Sequence, residues 1–333
     1  MTWNKTARKR CSITSRSWQW RMEPEPHFSP KNISKRRLKK EIRLLVIKSV
    51  KGFMLVCLIL IALNGCTRLV MRSSSSLLPR FSQAVLEECD PVLAEQTMPA
   101  NLKLLEGLLK SDPQNPALLH SLSMGFCGYS LLFVEEKDPQ RAAQLYLRAR
   151  NYGLRALGKK GPLLADLQTG EPEIRSILIS LDKKKIEILI WTTAAWINWI
   201  NLNLDQPEAL AQISNVELCL KHCLETDDTY LYGLPNLLKG AMLAGRPALL
   251  GGDLQKSKVY FEKAMTFSQG RFLLVHYYFA RYYAVQAQDQ DLFLDLVQKA
   301  TLVKPENLED LCLINKVFQR KTIELKEKMD DYF

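Results

Sequence analysis

The chain has 333 residues, of which 47% are hydrophobic, and a formal net charge of +11. Residues 1–65 carry fifteen of the 46 basic and three of the 35 acidic side chains, so the rest of the chain has a net charge of −1. The excess positive charge belongs to the N-terminal segment, and it gives no reason to expect a nucleic-acid partner.

Residues 1–43 show no apolar periodicity. We interpret them as a basic disordered extension or as a misassigned start, with translation beginning near Val46. Residues 44–65 have the features of a secretory signal peptide, because Lys48 and Lys51 flank a run of eleven apolar residues, 53–63. This run is well short of the roughly 20 residues that span a bilayer.

The apolar run ends in Leu63-Asn64-Gly65-Cys66, the pattern of a bacterial lipobox. Gly65 leaves room for the peptidase, and Cys66 supplies the thiol that carries a thioether-linked lipid. The alternative is a plain membrane anchor with a chance cysteine at its edge. The lipobox predicts a protein of the cell envelope that is lipid-anchored through Cys66 on the periplasmic face of a membrane. Residues 66–79, which include four consecutive serines, are then a flexible tether.

Five cysteines follow the lipobox, an odd number without the spacing of a disulfide framework, in a chain too large to depend on disulfides. They are Cys89, Cys127, Cys219, Cys223 and Cys312. Cys219, His222 and Cys223 share one helical face, but a fourth zinc ligand is missing. We therefore expect small buried cysteines and no metal site.

Apolar residues between 80 and 333 recur at the spacing of α-helices, and no convincing strand alternation interrupts them. Helix breaks are expected at turn residues such as those of Asp138-Pro139 and Lys304-Pro305. The predicted helices are 80–89, 99–111, 115–134, 138–158, 171–180, 183–203, 206–225, 229–246, 252–268, 271–288, 289–303 and 306–331. The sequence thus predicts an all-α domain over residues 80–333.

Several predicted helices share one pattern: a first residue that is usually small, an apolar residue four positions later, and a small or apolar residue three further on. This pattern is typical of the second helix of a tetratricopeptide repeat, in which small residues let paired helices approach closely. The sets are Asn101/Leu105/Leu108, Ala142/Tyr146/Ala149, Val216/Leu220/Cys223, Ser257/Phe261/Ala264 and Phe293/Val297/Ala300, with Phe126, Tyr129, Ser130 and Phe133 at first-helix positions. Because the sets are unevenly spaced, we predict a degenerate tetratricopeptide-like helical-repeat solenoid or bundle.

Three stretches, 145–157, 191–200 and 251–286, resemble the TatT family of envelope lipoproteins associated with tripartite ATP-independent periplasmic (TRAP) transporters. The resemblance covers roughly residues 80–333. It implies a helical-repeat accessory protein that docks the periplasmic solute-binding protein of a TRAP transporter, without cofactor or catalytic residues. Assembly into a homo-oligomer stays open. The alternative is a tetratricopeptide lipoprotein scaffold of another envelope machine, in outer-membrane assembly or secretion.

Motifs of enzyme chemistry are poorly represented. The sequence contains no GxSxG, HExxH or GxGxxG pattern, and only three histidines follow the leader. Asp253, after two glycines, is better explained as a helix N-cap than as part of a phosphate-binding loop. We therefore predict no catalytic site.

One predicted helix carries three tryptophans, and we predict that it binds a partner or a ligand. Trp191 and Asn198 lie on one stripe of this helix and Trp196 and Trp199 on another, so two faces must be covered by a helix, a partner or a bound molecule. Tryptophan beside Asn198 and Asn201 would suit an apolar or carboxylate ligand that has an apolar body and a polar head. The alternative is that the rings fill seams between helices.

Overall fold

The computed structural model describes residues 40–41, 43–54 and 77–333. The chain divides into two compact units, Met1–Leu63 and Asn64–Phe333. In the first unit, the described residues 43–54 form a helix, α1, whose side chains are exposed. The lipobox, Cys66 and the tether up to residue 76 lie outside the described residues, so signal cleavage and lipidation stay predictions.

Within residues 77–333 the second unit contains thirteen α-helices and no strand, which confirms the predicted all-α class. Their bounds are α2 Leu77–Leu86, α3 Pro91–Ser111, α4 Pro116–Tyr129, α5 Pro139–Ala156, α6 Glu171–Ile179, α7 Ile186–Asn201, α8 Pro207–Leu210, α9 Ile213–Thr226, α10 Tyr230–Ala244, α11 Leu254–Ser268, α12 Leu273–Tyr278, α13 Gln290–Leu302 and α14 Cys312–Glu327. The π-helical segments Ser130–Val134 and Phe279–Ala284 prolong α4 and α12.

Helix starts follow the predicted capping chemistry. Asp138 accepts a hydrogen bond from the Arg141 amide at 3.0 Å, and proline follows it at the first helical position, where the missing N–H costs nothing. Asp253 likewise accepts from the Lys256 amide at 3.0 Å, which confirms that it is an N-cap. These polar caps therefore determine where the helices begin.

Three predicted boundaries are wrong. Helix α3 begins at Pro91 rather than at residue 99, because Asp90 caps it and Pro99 lies inside the helix instead of starting it. The predicted helix 206–225 is divided into α8 and α9, with a turn around residues 211–212. Helix α2 begins at Leu77, inside the range predicted for the tether and three residues before the predicted helix start at residue 80.

Helices α4, α7, α10 and α12 are each followed by a partner helix, α5, α9, α11 and α13, that packs against it. In these four partner helices the residues of the repeat pattern are fully buried or nearly so. Asn101, Leu105 and Leu108 of α3 are not, and the buried residues there are Ala94, Met98, Leu102 and Leu109 instead. Descent of the pairs from one tetratricopeptide-like repeat stays a prediction from the sequence.

Cys89 and Cys312 form a disulfide, with Cα atoms 5.2 Å apart and a sequence separation of 223. This corrects the prediction that the cysteines form no disulfide framework. Spacing could not reveal the bond, because only the folded chain brings the segment after α2 to the start of α14. The bond ties the two ends of the helical body together.

A polar cluster joins the end of the α4 π-segment to α12 and α14. Tyr277 donates to Glu136 at 3.0 Å, Lys321 pairs with Glu136 at 3.2 Å, and the Lys321 ammonium also donates to the Leu131 carbonyl at 3.1 Å. Glu135 accepts a hydrogen bond from Tyr146, and burial raises the pKa of Glu135. These contacts hold the helix pair α4–α5 against α12 and α14. The helices thereby enclose a central space.

One helical segment among the described residues, Pro116–Val134, is long and apolar enough to cross a membrane. Core helices of soluble proteins pass the same test, and most of this segment is buried inside the protein. Its apolar character is explained by contacts with α3, α5 and α7.

Candidate functional site

A cavity of about 250 Å³ lies between helices α2, α3, α4, α7, α10, α12 and α14. None of the partner helices α5, α9, α11 and α13 contributes a residue to its wall. Leucine predominates in the lining, and no Asp, Glu, Lys, Arg or His occurs among the described residues that form it. Concave, largely apolar cavities with a few polar groups are the usual binding sites of small molecules.

Small residues on α4 widen one side of the cavity. Gly125 lies against Leu102, whose methyl group would be 2.7 Å from a Cβ at position 125. A Cβ at Gly128 would instead meet no heavy atom within 4 Å, and Gly128 lines the cavity. A side chain at position 128 would therefore extend into the open space.

Two strongly exposed apolar residues mark the mouth of the cavity. Phe81 on α2 is 67% exposed and Leu104 on α3 is 63% exposed, yet both also line the cavity. Exposed apolar side chains that form a contiguous patch are typical of interaction surfaces. We call Phe81 and Leu104 the rim.

The predicted site residues on α7 separate into two groups. Trp191 and Asn198 line the cavity, whereas Trp196, Trp199 and Asn201 do not. Trp196 is fully buried, and Trp199 and Asn201 are half-buried. The structure thus brings together only two of the five predicted residues at the cavity wall.

The two tryptophans of the second group contact α5. The Arg150 guanidinium lies 5.4 Å from the Trp196 ring and 5.1 Å from the Trp199 ring, a cation–π arrangement. It donates hydrogen bonds to Gln212 and Asn151. Burial lowers the pKa of Arg150 to about 10, which still leaves it charged at neutral pH. This face of α7 is covered by the protein itself.

A hydrogen-bonded relay holds Trp191 in place. Its indole N–H donates to the Tyr230 hydroxyl at 3.1 Å, which in turn donates to Glu187 at 2.9 Å. The His120 imidazole lies 3.5 Å from the same carboxylate. The hydrogen bond from His120 is the main reason that the pKa of Glu187 is lowered. The relay links α4, α7 and α10 behind the cavity wall.

The start of α10 has an unusual backbone. Leu231, Tyr232 and Gly233 have φ values of 45°, 58° and 87°, all in the left-handed region that costs L side chains free energy. Leu231 lines the cavity, and Tyr232 donates to Asp310 at 2.8 Å. The sequence prediction of an unbroken helix over 229–246 missed this segment. Gly233 and Pro235 lie inside that range, and either residue could have indicated a break in the helix.

The cysteines considered as metal ligands are buried thiols. Burial raises the pKa of Cys219 to about 12 and also raises that of Cys223, so both stay protonated at neutral pH. Metal ligation requires the thiolate. No cluster of metal-ligating side chains occurs in the part of the chain that the structure describes.

Comparison with known families decides the identity of this helical body. The model of the TAtT family, the TRAP transporter T-component, matches residues 87–333. The chain belongs to the TRAP transporter T-component family. This confirms the resemblance seen in the sequence and assigns the T-component an accessory role in a TRAP transporter, with association to the cell envelope. The family comprises transporter accessory proteins rather than enzymes.

A curated relative gives a more distant comparison. An uncharacterized protein of Treponema pallidum (strain Nichols) is 21% identical over 269 residues, which cover 76% of this chain and 83% of the relative. The match therefore extends over most, but not all, of both chains.

Proposed function

We propose that the T-component holds an apolar ligand in its central cavity and docks the periplasmic solute-binding protein of the TRAP transporter at the cavity rim. A lipid on Cys66 would keep this body at the membrane surface. The observation that carries the proposal is the cavity itself, an apolar space without charged side chains in its described lining. Trp191 and Asn198 are the predicted site residues that we assign to the ligand.

The cavity supports ligand binding because it is too extensive to be a packing defect between two helices. Seven helices contribute to it, and a side chain at Gly128 on α4 would meet no heavy atom within 4 Å of its Cβ. An empty apolar cavity destabilises a protein by about 24 cal/mol per Å³. A bound apolar molecule would recover part of that stability, since its own surface leaves water at about 25 cal/mol per Å².

Docking at the rim is supported by the exposure of Phe81 and Leu104. These side chains join the cavity to the surface, so a partner seated on them would meet the ligand as it enters or leaves. Helix α7, the surface first predicted for the partner, is less suited, because Trp191 is 6% and Trp196 0% exposed. Family membership favours a transporter partner over another envelope machine.

Replacing Phe81 and Leu104 with serine should weaken binding to the solute-binding protein about tenfold or more, because central apolar contacts dominate interface energies. The affinity can be measured by calorimetry with the purified full chain. Ile179→Ser is the matched control, since Ile179 on α6 is 77% exposed and does not line the cavity. Equal affinities for the rim variant and the control would refute docking at the rim.

A further inference from the structure

Three buried side chains with a hydroxyl or amide group interrupt the apolar wall of the cavity. Ser121 on α4, Asn198 on α7 and Tyr278 on α12 line it and are 7%, 9% and 4% exposed. None of the three side chains makes a hydrogen bond to another group in the described part of the chain. None of their side-chain oxygen or nitrogen atoms is both fully enclosed by protein and unpaired.

Asn198 differs in this respect from the other buried asparagines. Asn215 donates to the Leu164 carbonyl, Asn236 to the Asp228 carbonyl, and Asn315 bridges the Leu273 amide and the Arg271 carbonyl. Leaving a buried amide unpaired costs free energy, so nearly all buried polar side chains have partners. An unpaired amide that faces an open cavity therefore indicates a hydrogen-bonding group on the occupant.

The charge of the occupant follows from what the cavity lacks. No cationic side chain is among the described residues of the lining. Arg150 of α5, a cation that contacts the predicted binding helix, lies against Trp196 and Trp199, which do not line the cavity. A carboxylate placed in this cavity would lose its hydration without gaining a counter-ion, which strongly disfavours its entry.

We infer that the cavity selects uncharged amphiphiles, in which an apolar chain carries a neutral hydroxyl or amide head that hydrogen-bonds to Asn198. This inference rests on the proposed function and narrows its ligand class. The asparagine amide both donates and accepts, so it can pair with an alcohol or with an amide. Trp191, seven residues earlier on the same face of α7, covers the apolar chain.

Four ligands of equal chain length test this inference: decane, decanol, decanamide and decanoate, each titrated at neutral pH into the purified full chain. Decanol and decanamide should bind, and decanoate should bind at least about tenfold more weakly, because a buried charge without a partner is costly. Asn198→Leu keeps the side-chain size and removes the amide. It should weaken decanol and decanamide binding about fivefold and leave decane binding unchanged.

Asn201→Leu is the matched control on the same helix, since Asn201 does not line the cavity, and it should leave all four affinities unchanged. The inference is overturned if decanoate binds as tightly as decanol, or if Asn198→Leu also weakens the binding of decane. Either result would still leave the cavity as a binding site. Failure of all four ligands to bind overturns both the inference and the proposed ligand-holding function.

Discussion

Phe261→Ala should destabilise the T-component by about 3–5 kcal/mol, the cost of removing a fully buried aromatic ring. The Phe261 ring stacks on Phe279 with ring centroids 5.0 Å apart and lies in a notch at Gly240, where a Cβ would be only 3.1 Å from the ring. No neighbouring side chain can refill this volume without moving a helix. Urea unfolding monitored by circular dichroism measures the loss.

Phe267→Ala on the same helix is the control. Phe267 is 36% exposed, so its truncation should cost much less. Phe261 does not line the cavity, and its replacement should leave ligand affinity unchanged in the fraction that remains folded. A loss of less than about 1 kcal/mol for Phe261→Ala would mean that the ring is not held between α10, α11 and α12 as described.

Removing the Cys89–Cys312 disulfide should cost up to about 5 kcal/mol of stability, since the bond closes a very long loop and limits the unfolded chain. The Cys89→Ala/Cys312→Ala variant should unfold at a lower urea concentration than the wild type. Addition of a reductant should lower the wild-type midpoint toward that of the variant and leave the variant unchanged.

Cys127→Ala is a suitable comparison, because Cys127 is buried and unbonded. This variant should lower the urea midpoint only through the loss of packing around residue 127. Addition of a reductant should still lower its midpoint, as in the wild type. If the wild type unfolds identically with and without reductant, the disulfide does not form in the protein.

The sequence was sufficient to locate most helices. Helix starts can be predicted from local capping residues such as Asp138 and Asp253. A local pattern such as Ala142/Tyr146/Ala149 correctly predicts a buried stripe. The same spacing failed at Asn101, because Asn101, Leu105 and Leu108 of α3 line the cavity and are not fully buried. Periodicity alone does not distinguish residues that line a cavity from residues that are packed in the core.

The cavity could not be predicted from the sequence, since each helix contributes only a few residues to it. Gly128, for example, appears in the sequence as an ordinary helical glycine, and only the surrounding helices reveal the open space beside it. The three tryptophans of α7 did indicate that two faces had to be covered. The structure shows α5 contributing Arg150 to one face and the cavity lying at the other, a distinction that helical spacing cannot make.

The most direct test of ligand binding in the cavity is quenching of Trp191 fluorescence by a brominated decane. Among the tryptophans of the helical body only Trp191 lines the cavity, so saturable quenching is expected in the wild type. Gly128→Leu should abolish it by filling the cavity, whereas Gly107→Leu, an equally unobstructed helical position outside the lining, should preserve it. Both variants should be at least as stable as the wild type, because leucine favours helix over glycine by roughly 0.5–1 kcal/mol. Equal quenching in wild type and Gly128→Leu, or no saturable quenching at all, would contradict the cavity as the ligand site.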